Sequence, residues 1–75
     1  MPESERELLK VFGANLRHIR LEKKLSLRKL SALCSIDHSD LSRMETGQIN
    51  LTIITVAELA RALDVSISKL MKGVE

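Results

Sequence analysis

Apolar residues in this chain recur at intervals of three and four from one end to the other, and no segment alternates with a period of two for long enough to make a strand. That periodicity confines the fold to packed helices. From Glu5 to Lys24 the residues Leu8 or Leu9, Phe12, Leu16 and Ile19 share a helical face with Arg17, Arg20, Lys23 and Lys24 between them. This predicts an amphipathic first helix, with Gly13 as its weak point. Ser26 stands where a hydroxyl caps a second helix of about two turns, with Leu30 and Leu33 on its inner face. Asp37 is expected to cap a third helix, helped through the helix dipole by Asp40, with Leu41 and Met44 as the buried edge. Gly47 supplies its left-handed stop after Thr46. Thr52 then caps a fourth helix through Ile53, Val56, Leu59, Ala60 and Leu63, ending at Asp64, and Ser66 opens a short fifth with Ile67, Leu70 and Met71. The expected fold is all-α, a compact domain of five short helices.

Seventy-five residues leave room for one small domain, and below about 80 residues a lone core supplies only a few kcal/mol. Here 13 Leu, 6 Ile and 4 Val must supply it. The one cysteine, Cys34, has no partner for a disulfide, and with only His18 and His38 beside it there is no CxxC or HxxxH pair. No metal and no cofactor are expected. The chain has no Trp or Tyr and a single aromatic, Phe12, which disfavours single-strand and RNA binders that stack bases on several rings. No apolar run approaches the roughly 20 residues of a membrane span, and the start Met1-Pro2-Glu3-Ser4-Glu5 is acidic where a signal peptide is basic. A cytoplasmic protein is expected. Paired carboxylates, a Ser-His-Asp set and a Gly-rich phosphate loop are all missing, so the chain is not expected to be an enzyme. The net charge of +2 permits nucleic-acid binding without demanding it, but residues 1–24 carry six Lys/Arg against four Glu, while the remainder is balanced.

The tight connection Leu33-Cys34-Ser35-Ile36-Asp37 forces the second and third helices into a fixed angle, the geometry of a helix-turn-helix. The outer face of the third helix offers His38, Ser39, Ser42 and Arg43, short hydrogen-bonding groups and one long Arg, with no large apolar side chain to keep it out of a groove. Arg43 suits a bidentate bond to guanine O6 and N7.

At these residues the chain resembles the lambda-repressor-like, Cro-type (Xre-like) helix-turn-helix DNA-binding family of bacterial and phage regulators. The matching segments are Leu16-Arg17-His18-Ile19-Arg20, Leu25-Ser26, Leu30-Ser31, Asp37 to Gly47 as D-x-x-x-L-S-x-M-E-x-G, and Leu59 to Ser66. The likeness runs from residue 8 to 72 without gaps, which makes residues 1–7 an N-terminal extension and 8–72 the DNA-binding domain. Gly47-Gln48-Ile49-Asn50-Leu51-Thr52-Ile53 looks like the controller proteins of restriction–modification systems, with small phage-type repressors as the other subgroup. The resemblance implies that His38, Ser39, Ser42 and Arg43 face base edges and that Thr46, Gln48 and Asn50 lie near phosphates. Ser26 and the backbone amides opening the second helix, at Leu27 and Arg28, would face another phosphate. The Leu27 side chain stands where the family usually has Gln, and the loop after the third helix lacks the Lys or Arg of many relatives. Arg20 and Glu45 occupy positions that pair with each other in the family, a structural role.

Cys34 is expected to pack behind the turn, and Met44 and Met71 to be core or interface residues. His38 is open between a DNA-facing role and an idle surface one; Arg28 and Lys29 between a phosphate and a solvated basic face. Val65, Ile67, Met71 and Val74 form an apolar surplus that either packs internally or makes a two-fold interface. The expected function is a homodimeric regulator that reads an inverted repeat in double-stranded DNA with the helix at 38–45 and blocks or recruits RNA polymerase. The alternative is a protein-interaction module, such as an antitoxin-like partner.

Overall fold

Glu3 and Glu5 place negative charge at the positive end of a helix dipole, and the backbone N–H groups of Glu5 and Arg6 both donate to the Pro2 carbonyl at 3.1 Å. From there the chain stays helical for 20 residues. The computed structural model describes residues 2–75. Its elements are α1 (Glu3–Glu22), α2 (Leu27–Ala32), α3 (His38–Glu45), α4 (Ile53–Leu63) and α5 (Ile67–Leu70), with no strand among the described residues. The all-α, five-helix expectation is met. The segment expected as an extension, residues 1–7, is helical from Glu3, and α1 stops two residues short of Lys24.

Three helices end in the same way. Lys24, Gly47 and Asp64 adopt φ of 59°, 73° and 56°. The N–H after each, on Leu25, Gln48 and Val65, reaches back to the carbonyls of Arg20, Arg43 and Ala60 at 2.9–3.1 Å. This is the 6→1 bond of a Schellman ending, and it turns the chain sharply while satisfying carbonyls the helix leaves over. Lys24 takes the left-handed conformation without being Gly, Asn or Asp, which is why the helical pattern read through it.

Starts are capped by hydroxyls: Ser26, Thr52 and Ser66 accept from the N–H groups of Lys29, Thr55 and Lys69, each at 3.1 Å. Asp37 does not cap α3 with its side chain as expected. Its carboxylate accepts a hydrogen bond from the Ser39 hydroxyl instead.

Every helix sends residues into one core: Phe12, Leu16 and Ile19 from α1, Leu30 from α2, Leu41 and Met44 from α3, Val56, Leu59, Ala60 and Leu63 from α4, and Leu70 from α5. Leu33 is not part of it. The helix ends at Ala32, so Leu33 becomes the cap of α2 and stands 56% exposed. Ile53, the first residue of α4, precedes the inward stripe that begins at Val56 and is 65% exposed.

Gly13 reverses its expected role. A Cβ there would collide with the Met44 carbonyl oxygen and lie 2.7 Å from the carbonyl carbon of Glu45. It is the point where the backbones of α1 and α3 touch, so the missing side chain permits the crossing instead of weakening the helix.

Candidate nucleic-acid interface

The position of α3 is set from both of its ends. At its C-terminal end Glu45 meets Arg20 of α1, where Nε donates to Oε2 at 2.6 Å and Nη2 to Oε1 at 3.1 Å. A third arm, Nη1, donates to the Leu25 carbonyl at 2.8 Å, so one guanidinium ties α1, the α1–α2 turn and α3. The fork-to-carboxylate geometry gives two charge-assisted bonds, and the hydrogen bond to Glu45 raises the Arg20 pKa above the ordinary arginine value. Before the helix begins, Glu58 of α4 accepts from the Ser35 backbone N–H at 2.7 Å and from its hydroxyl at 2.5 Å. These bonds lower the Glu58 pKa, the hydroxyl contributing most. The Ser31 hydroxyl donates to the Ile36 carbonyl at 2.7 Å and closes the same turn from inside.

With Leu41 and Met44 pinned in the core, the opposite side of α3 faces water. Ser39, Ser42 and Arg43 are exposed, and His38 is partly so. None of these four is buried. Asp40 sits one turn before Arg43 and accepts from its guanidinium, which holds that long side chain on the outer face. His38 Nδ1 lies 3.7 Å from Asp37 Oδ1. The Asp37 carboxyl is held below the usual aspartate value, chiefly by the Ser39 hydroxyl.

The remaining expected positions lie at the start of α2, in the turn after it, in the loop after α3 and toward the C-terminus. Thr46, the cap of α3, donates its hydroxyl to the carbonyls of Ser42 and Arg43 at 3.3 and 3.2 Å, and Gln48 is exposed. Asn50 is also exposed, and its side-chain oxygen accepts from the N–H of Leu51. Ser26 uses its oxygen as the α2 cap and keeps a proton to donate. Arg28 is exposed, whereas the Leu27 side chain packs against the core and leaves only its backbone N–H for a ligand. Cys34 is partly buried, with Sγ donating to the Leu30 carbonyl at 3.3 Å. Of the apolar surplus, Val65, Met71 and Val74 pack partly against the core, and Ile67 is 41% exposed.

Two tertiary ties are missed in the sequence pattern. Glu58 reads as one more polar residue on the outside of α4, and no local pattern links it to a turn 23 positions earlier. Asn15 Nδ2 donates to the carbonyls of Leu70 and Lys72 at 2.8 and 2.7 Å and fastens the C-terminus to α1. Its place on the edge of an apolar face is the one signal in the sequence that could have found it.

A helix-turn-helix family model, HTH_3, matches residues 16–70. The HTH-type transcriptional regulator y4dJ of Sinorhizobium fredii is 38% identical over 60 residues, covering 80% of this chain and 78% of that protein. Among solved structures, the restriction–modification controller protein C.AhdI of Aeromonas hydrophila superposes with a TM-score of 0.80 at 37% identity, over 83% of this chain and 94% of that one. The clp gene regulator ClgR of C. glutamicum reaches 0.83 at 28% identity, over 87% and 84%. The helix pair α2–α3 and the match over most of the length agree, and the chain belongs to the lambda-repressor-like helix-turn-helix family of transcriptional regulators.

Proposed function

We propose that two copies of this chain bind an inverted repeat in double-stranded DNA, each laying α3 in a major groove. The family is one of DNA-binding transcriptional regulators and not of enzymes. The observation that carries the finer reading is the outer face of α3, an eight-residue helix whose exposed side is Ser39, Ser42 and Arg43, with His38 at its start. A groove about 12 Å wide admits such a helix, and the short side chains let its backbone approach base edges. His38, Ser39, Ser42 and Arg43 then read bases, while Thr46, Gln48, Asn50, Ser26 and the amides of Leu27 and Arg28 meet phosphates. RNA polymerase, blocked or recruited, is the third partner, and the cytoplasm the place of action. No helix among the described residues is long and apolar enough to cross a membrane.

Support for a two-fold assembly comes from apolar surface that one copy leaves in water. Ile53 and Ile54 are 65% and 73% exposed. Ile53 also borders a shallow groove of about 180 Å³ lined by Leu8, Leu9, Phe12, Met71 and Val74. We place the contact at that groove, with Val65, Ile67, Met71 and Val74 as its interface residues. The same groove favours the second reading, an interaction module that seats another protein. Salt separates the two, because phosphate contacts release counterions and an apolar contact does not.

The test is selection of bound sequences from a pool of random duplex DNA. A two-fold-symmetric site is expected, and Arg43→Ala should relax one base per half-site by about 1–3 kcal/mol. Folded protein that enriches no sequence favours the interaction module.

A further inference from the structure

The end of α3 that adjoins the loop expected to meet phosphate is the wrong end of a helix for an anion, because its carbonyls carry partial negative charge. The loop itself, Thr46 to Leu51, contains no Lys or Arg. The fold brings cations to it from elsewhere. Arg6 and Lys10, four residues apart and therefore on one face of α1, line a pocket with Thr46, Gly47 and Gln48. The approach is close at its base, since a Cβ on Gly47 would lie 2.9 Å from the Lys10 backbone nitrogen and 2.9 Å from its Cγ. Gly47 thus serves both the left-handed turn and the close seating of the loop on α1.

We infer that Arg6 and Lys10 complete, with Thr46, Gly47 and Gln48, a seat for one phosphate of the DNA backbone at the C-terminal end of α3. The inference rests on α3 being the helix that enters the groove, and it extends the binding surface into the turns of α1 ahead of the matched family segment. Three observations carry it. The site is concave and has two basic side chains on its wall. Among the described residues Lys10 meets only a distant carboxylate, Glu7 at 3.9 Å with both side chains more than half exposed, which a phosphate displaces at small cost. Arg6 has no ion pair among the described residues, so its planar fork is available for the bidentate geometry that suits phosphate. Glu5 lines a separate pocket with Asn50, so the phosphate held by Arg6 and Lys10 is placed at Gln48, distinct from any that Asn50 meets. Both cations precede the segment that the family model matches, and a comparison of motifs passes over them.

Arg6→Gln, Lys10→Gln and the double variant remove charge from exposed positions while keeping a polar side chain there. Each is titrated, as the full chain, against a duplex recovered by selection over a series of salt concentrations, with Lys72→Gln as a control that lines none of these pockets. The slope of log affinity against log salt should become shallower by about 0.9 in the double variant, which leaves the phosphate without a cation, and by less in each single variant, with the preferred sequence unchanged. Lys10→Glu should weaken binding further than Lys10→Gln. A double-variant slope equal to the parent's, or an equal loss in Lys72→Gln, overturns the seat and leaves the groove-reading helix standing. A parent chain that binds no duplex overturns both.

Discussion

Arg20 and Glu45 are only 10% and 5% exposed in their side chains, so neither charge is solvated and each depends on the other. Removing one partner leaves an unpaired charge out of water, a loss of about 3–5 kcal/mol, whereas replacing both by apolar groups of similar size is often neutral. Arg20→Ala should therefore lower the urea midpoint severely, and Arg20→Met with Glu45→Leu should recover most of it. Equal losses in the single and double variants would refute the pair as the reason. Gly13 obeys a different limit. Its Cβ would meet backbone atoms of Met44 and Glu45, which have no rotamer to change, so α1 and α3 must separate. We expect Gly13→Ala to cost about 1–3 kcal/mol by chemical denaturation, although alanine is the better helix former. A stabilised variant would show that the crossing adjusts freely.

Among the elements, α3 is too short to hold its own orientation, and its approach is fixed by Leu41 and Met44 below and by the turn that leads into it. That turn is tied to α4 through Ser35 and Glu58. The Glu58 pKa is lowered in the folded chain, and a carboxylate of this kind contributes stability that is full above its unfolded value and is lost as pH falls through the folded one. Asp37, lowered by the Ser39 hydroxyl, acts in the same direction. Thermal stability should consequently drop on the acid side of the ordinary carboxylate range, and Glu58→Gln should flatten part of that drop. A midpoint-against-pH curve that Glu58→Gln leaves unaltered would remove the tie from the account. Asp40 is arranged for a separate purpose: it holds the Arg43 guanidinium on the exposed face, where an unheld side chain would sample many rotamers.

On the scale of the whole molecule, α1 is the member against which α3, the loop after it and the C-terminal end are placed. It crosses α3 at Gly13, meets Glu45 through Arg20, receives the C-terminus through Asn15 and seats the loop after α3 on Lys10. A core of eleven residues completes the domain and leaves Ile53 and Ile54 adjacent and unprotected. Fully covering an isoleucine gains about 1.5–3 kcal/mol, enough for a pair of them to matter to a weak two-fold contact. If the proposed dimer forms there, Ile53→Asp with Ile54→Asp should convert it to monomer in sedimentation velocity without unfolding the chain, since neither residue is in the core. A parent chain that is monomeric at micromolar concentration, alone and on DNA, would exclude the dimer.

The five helices, the caps at Ser26, Thr52 and Ser66, the stops at Gly47 and Asp64 and the buried stripes of α1, α3 and α4 were legible in the residues themselves. Each depends on neighbours within one or two turns, where periodicity and capping chemistry act. The candidate face of α3 was legible for the same reason, being what remains once Leu41 and Met44 are turned inward. What the linear pattern misread was decided at a distance. Gly13 looked like a defect until α3 crossed it, Asp37 like a cap until Ser39 took its carboxylate, and Leu33 like core until α2 ended one residue early. The grip of Glu58 on the turn and the arrival of Arg6 and Lys10 at the end of α3 join residues 23 to 42 positions apart. Local sequence determines which segments are helices and which sides of them avoid water. Only packing decides which backbones touch and which charges meet, because those depend on distances that no single helix contains.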